Sequence, residues 1–186
     1  YGANNMAKLG FTYDEILNLE FKNYRSFKGT CSFTTEPTSS KAKVENLCEV
    51  ETNAEGNKKA LKISLIFGAN ASGKTNIIKF LYCFRRWLLN IDNRVGEDIA
   101  LYQPFKFDSA TADAPTEFMM EFIAQKVRYK YEVHFVRQQI ILESLISYPN
   151  GKQTQLYERI LLPDNKESDT IKFGSSLSSF KAFNVF

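Results

Sequence analysis

Two hydrophobic periods follow one another along the chain, and their order predicts its elements. From Glu15 to Phe21, Leu17, Leu19 and Phe21 recur at every second position with Ile16 on the opposite face, the pattern of a strand buried on one side. Asn23 to Gly29 reads as a turn. Thr30 to Thr35 resumes the alternation through Cys31 and Phe33, so the two runs are expected to pair as a hairpin closed by Pro37. Between Thr38 and Lys59, Ser, Lys, Glu and Asn dominate around Val44, Leu47 and Val50, which predicts a polar insertion with one exposed strand. Leu61, Ile63, Leu65, Ile66 and Phe67 then crowd the approach to Gly68 and predict a core strand over 61–67. From Lys74 onward Ile77, Ile78, Leu81, Phe84 and Leu88 fall at helical spacing, giving an amphipathic helix to about Asn90. Alternating runs over 117–123, 127–135, 140–147 and 154–162, with Pro149-Asn150-Gly151 as one turn, predict an antiparallel sheet. The serine-rich stretch from Gly174 to Ser179 reads as a loop.

Between the expected core strand and the expected helix lies Gly68-Ala69-Asn70-Ala71-Ser72-Gly73-Lys74-Thr75, a full match to G-x-x-x-x-G-K-[ST]. Each fixed position has a mechanical reason. Gly68 lets the chain turn sharply, and Gly73 is expected to let the backbone approach phosphate oxygens that a Cβ would obstruct. The helix start contributes partial positive charge, the Lys74 ammonium is expected to reach the β- and γ-phosphates as the catalytic cation, and the Thr75 hydroxyl to sit on Mg²⁺. The candidate nucleotide-binding set is Gly68, Ala69, Asn70, Ala71, Ser72, Gly73, Lys74 and Thr75, with Asn76 directly after. A guanine-reading N-K-x-D element is missing, since Asn165-Lys166-Glu167-Ser168 lacks the acid, so ATP is favoured.

Composition narrows the class without changing the picture. A chain of 186 residues suits one domain or one lobe of a larger assembly. No apolar run approaches the ~20 residues that span a bilayer, so a soluble, membrane-free protein is expected. Cys31, Cys48 and Cys83 are odd in number and widely spaced, which argues against a disulfide framework or a zinc site and for reduced thiols in the cytoplasm. A net charge of +3 is small for a nucleic-acid footprint, and Arg85 and Arg86 suit a solvated helix face. His134 has no acid or cysteine placed to make a metal or catalytic group, and Tyr129, Tyr131 and Phe135 suit a packed sheet face. Residues 1–12 read as a tail and are left out of the fold.

With E-F-K-N-Y-R-S-F-K before it, GANASGKTNIIK resembles the Walker A region of ATPase heads of the ABC, SMC and RecF type. The chain is most similar to bacterial AAA-family ATPases linked with phage defence or restriction. There a P-F-K-F-D segment, a P-T-x-F strand, a Y-x-Y hairpin and an E-x-L run follow in order, here Pro104 to Asp108, Pro115 to Phe118, Tyr129 to Tyr131 and Glu143 to Leu145. The resemblance implies an α/β P-loop NTPase fold, an ABC/SMC-like head lobe with an antiparallel β subdomain beside the P-loop strand and helix. It also implies that Arg25 approaches the phosphates, that Ser26 and Phe27 border the sugar or base, and that ATP and Mg²⁺ are the cofactors.

A Walker B strand, four apolar residues followed by Asp-Glu, is missing from the sequence: Ile140 to Glu143 lacks the Asp, and Leu161 to Asp164 carries Pro163. Phe173 to Ser176 is no signature motif, and Gln103 precedes the expected antiparallel strands, where a Q-loop glutamine does not belong. Residues 13–186 are therefore expected to be the N-terminal, Walker A half of a head whose C-terminal half lies elsewhere. Expected partners are that half, a second head in a head-to-head homodimer, and DNA or an effector protein. The competing readings are a small-molecule P-loop kinase and a nucleotide-switched protein- or DNA-binding module.

Overall fold

The computed structural model describes residues 15–39, 43–54, 56–88, 97–161 and 169–175. Within them a seven-stranded sheet carries one long helix on one face. The strands are β1 (Glu15–Lys22), β2 (Cys31–Thr34), β5 (Thr116–Ala124), β6 (Val127–Phe135), β7 (Ile140–Tyr148), β8 (Thr154–Leu161) and β9 (Asp169–Phe173). They lie in the order β2-β1-β5-β6-β7-β8-β9, and every neighbouring pair is antiparallel. The chain is thus α/β with an antiparallel sheet, as the alternation predicts. The expected hairpin forms in register, with Leu19 opposite Phe33 and Phe21 opposite Cys31.

Helix α1 (Lys74–Leu88) packs on this sheet through Phe80 and Phe84, which meet Leu19, Phe21, Tyr24, Phe118, Met120, Tyr131, Val133 and Phe135 in one core. The rings interlock: Phe21 stacks on Phe80 with centroids 4.6 Å apart, and Phe84 meets Phe118 at 3.8 Å. Such offset and tilted pairs add to the burial term because ring edges face ring π-clouds. The buried face is not quite the one the spacing predicts. Ile78 and Leu81 are exposed, because apolar residues surround much of this helix and the sheet selects the Phe80 and Phe84 side.

The polar insertion holds two strands rather than one. β3 (Leu47–Val50) and β4 (Lys58–Leu61) make a separate hairpin, introduced by a 3-10 turn over Val44–Asn46. Val50 and Ala60 cap a second small core with Leu17 and Ile123.

The predicted core strand over 61–67 is the main correction. Leu61 ends β4, and residues 62–69 form no strand. Ile63 and Leu65 are each 73% exposed and Phe67 is 85% exposed. A run that is apolar on both faces needs layers packed over both of them, and among the described residues no strand pairs with residues 63–67 to carry such a layer.

Candidate functional site

The chain turns at Asn23 to Phe27 and meets the P-loop there. Tyr24 and Phe27 exchange backbone hydrogen bonds of 2.9 Å, closing a tight turn with Asn23 and Arg25 at positive φ. Asn23 is buried and satisfies four partners: its Nδ2 donates to the carbonyls of Thr111, Ala114 and Pro115, and its Oδ1 accepts from the Phe105 N–H. The turn is therefore bolted to the segment that precedes β5. A second fastening joins Lys28 to Asp108 at 2.6 Å. That ion pair, with the N–H of Ala110 that Asp108 accepts at the start of the short helix α2 (Ser109–Ala112), holds the carboxyl of Asp108 below its ordinary range.

The P-loop packs against this turn. A Cβ on Gly73, whose φ is +98°, would lie 2.6 Å from Ser26 Oγ and 2.9 Å from the Phe27 ring. Asn76, in the first turn of α1, donates from Nδ2 to Ser26 Oγ at 2.9 Å. At Gly68 a Cβ would meet the hydroxyl of Ser72 at 2.7 Å, the end of a short movable side chain. Steric demand thus falls mainly on Gly73, and it comes from the turn.

Lys74 opens α1 and curls back over the loop, its Nζ donating to the carbonyls of Gly68 and Ala69 at 2.8 and 2.6 Å. Asn76 and Ile77 direct their N–H groups to the Gly73 carbonyl. Among the described residues the N–H groups of Gly73, Lys74 and Thr75 have no hydrogen-bond partner, and Thr75 is exposed. Unpaired donors beside an ammonium at a helix start suit an anion of several oxygens. A triphosphate fits them, and Mg²⁺ fits beside it because that ion takes its ligands from phosphates and water with few protein groups. Among the described residues no group of three His, Cys, Asp or Glu gathers to hold a metal on its own.

Arg25 sits one residue before Ser26. Its N–H donates to the carbonyl of Gln103 at 2.6 Å, its guanidinium lies 5.7 Å from the centre of the Tyr24 ring, and its buried Nε has no hydrogen-bond partner among the described residues. Burial pushes the Tyr24 phenol up, and the Arg25 charge pulls the other way. Gln103 spends its side chain on the Ala100 carbonyl and is a scaffold for the turn.

Residues 63–184 match the model of a family described as "AAA domain, putative AbiEii toxin, Type IV TA system". The match spans well over half of the chain. The chain belongs to this AAA-domain family. Its P-loop is accordingly that of a P-loop NTPase-like, nucleotide-binding domain. No curated protein and no solved structure gives a significant match.

Strands β6 and β8 converge on one carboxylate of β7. Tyr131, from the Y-x-Y hairpin, and Tyr157 both donate to Glu143 Oε1, at 2.8 and 3.0 Å. Burial, and then the Glu143 carboxylate, pushes both phenols far up. His134 pairs with Glu132 on the outer sheet face, away from the P-loop. No helix among the described residues is long and apolar enough to cross a membrane.

Proposed function

We propose that this AAA-family domain is the ATP-binding, Walker A portion of an ABC/SMC-type ATPase head whose nucleotide-driven dimerisation moves an effector in a phage-defence or DNA-related process. The observation that carries the reading is the P-loop itself, complete in sequence and packed at Gly73 against the Asn23 to Phe27 turn. In this reading Gly68 to Thr75 cradles the β- and γ-phosphates of ATP, Lys74 leaves the Gly68 and Ala69 carbonyls to neutralise the γ-phosphate, and Thr75 holds Mg²⁺. Arg25, whose guanidinium makes no ion pair among the described residues, adds a second positive charge, and Ser26 and Asn76 border the site.

The uncovered run from Ile63 to Phe67 supports the second half of the proposal. Its apolar residues face both ways, so a sheet completed beside it and packed on both faces would bury them, and the exposed Ile78, Leu81 and Tyr82 of α1 would be covered with them. A partner half bearing the Walker B Asp and Glu would do both at once. This chain then binds ATP while hydrolysing little of it.

The test is ATP binding and turnover by the chain alone. Mg²⁺-dependent ATP binding that Lys74→Ala weakens by roughly tenfold or more is expected, charge-assisted phosphate contacts being strong. Robust turnover abolished by Lys74→Ala would show that no catalytic group is missing and would overturn the half-head reading.

A further inference from the structure

Asn76 bonds within the protein at two points. Its backbone N–H goes to the Gly73 carbonyl at 2.8 Å and its side-chain amide to Ser26 Oγ at 2.9 Å. Ser26 Oγ in turn lies against the Cα of Gly73, at 2.6 Å from the place a Cβ would take. Both groups thus link the first turn of α1 to the turn that carries Arg25. The arrangement ties two segments distant in sequence through a single polar bond at an exposed rim.

We propose that Ser26 and Asn76 are positioning residues: their hydrogen bond latches the Asn23 to Phe27 turn onto the P-loop and so sets Arg25 over the phosphates, without either side chain touching the nucleotide. This rests on the reading of the loop as an ATP site and assigns the work of its rim. Three features place a latch here, in addition to the packing of Tyr24 on Phe80 and the bond from the Arg25 N–H to the Gln103 carbonyl. Arg25 is held at φ +50°, a conformation that costs a non-glycine residue energy and persists only where its surroundings fix it. Asn23 anchors the start of the turn on one side only, toward the segment before β5. On the other side Ser26 is the residue whose side chain bonds the helix. Without that bond, the guanidinium would share its time among positions that do not meet the phosphate, and the lost fraction lowers affinity directly.

The experiment is a double-mutant cycle read by Mg·ATP affinity of the full chain, with Ser26→Ala, Asn76→Ala, the pair together, and each single again in an Arg25→Ala background. Each single is expected to weaken Mg·ATP by about three- to tenfold, the range of one hydrogen bond. The double variant should be no weaker than about twofold below the worse single, because both changes remove the same bond. In the Arg25→Ala background the same changes should lose most of their effect. Ser26→Thr, which keeps the hydroxyl, should restore binding relative to Ser26→Ala. Effects that multiply in the double variant, or persist without the Arg25 side chain, would mean that Ser26 and Asn76 meet the ligand or act independently, and would overturn the latch. Thermal melting of each variant separates these outcomes from loss of fold: a variant that melts like the parent and still shows multiplied effects counts against the proposal. If the parent chain binds no Mg·ATP at all, the ATP reading falls and the latch falls with it, an outcome distinct from binding with additive effects.

Discussion

The antiparallel sheet and the run from Lys62 to Ala69 use the same kinds of residue to opposite effect. In the sheet, Phe21, Phe118, Val133 and Phe135 are almost fully buried beneath α1, and each strand finds its neighbour within the chain. In the run, Ile63, Leu65 and Phe67 face outward, with no strand beside them among the described residues. The difference is supply: hairpins and meanders close with short connections, so each antiparallel strand brings its own neighbour. A central strand of a parallel sheet needs neighbours delivered from far along a polypeptide or from another one. Hydrophobicity records that a segment is meant to be covered, and topology decides by what.

Breaking this contrast starts with the core. Phe80→Ala should cost about 3–5 kcal/mol, the usual loss for a buried phenylalanine, measured by urea unfolding. Asn23→Ala should cost roughly 2–3 kcal/mol, since it takes the side-chain partner from the Phe105 N–H and the Pro115 carbonyl and leaves the Thr111 and Ala114 carbonyls with only the Ala114 N–H and the Tyr102 hydroxyl. A smaller effect is expected in alkali. The Tyr131 phenol is raised in the folded state, so the chain holds the proton that the unfolded chain gives up above a pH of about 10. Stability is then complete below that pH and falls as pH climbs toward the folded value, by at most about 1.4 kcal/mol per pH unit for this group. Tyr131→Phe should flatten the fall, as read from urea midpoints at successive alkaline pH values. Least of all should come from Phe67→Ser, within about 0.5 kcal/mol in the same unfolding assay, as for a surface change. If Phe67→Ser costs as much as Phe80→Ala, the run has a partner inside the chain and the contrast fails.

The sheet was legible because its strands alternate cleanly: the expected 117–123, 127–135, 140–147 and 154–162 differ from β5 to β8 by a residue or so at their ends. Helix α1 was legible in extent but not in facing, since Ile77, Ile78, Phe80, Leu81 and Phe84 leave more than one apolar side for a neighbour to choose. β4 escaped because Lys58 and Lys59 hide a strand whose one buried member is Ala60. The P-loop needed no structure to be found, its residues being dictated one by one by spacing. The hub at Asn23 could not be read from sequence, because its four partners lie more than eighty positions away. Separation along the chain also hides the reason for Gly73, whose nearest obstacle is Ser26.

That close approach changes how a mutational scan of the loop should be interpreted. Gly73→Ala would push on Ser26 and Phe27 before any phosphate is considered, so its failure to bind nucleotide would be read as a chemical defect when a mechanical one suffices. The informative design is a size exchange across the seam: adding a methyl group at position 73 while removing bulk at 26 and 27 would leave the loop roomy again. What survives that exchange is the strain of a side chain at φ +98° together with the loss of the Ser26–Asn76 bond, both mechanical as well.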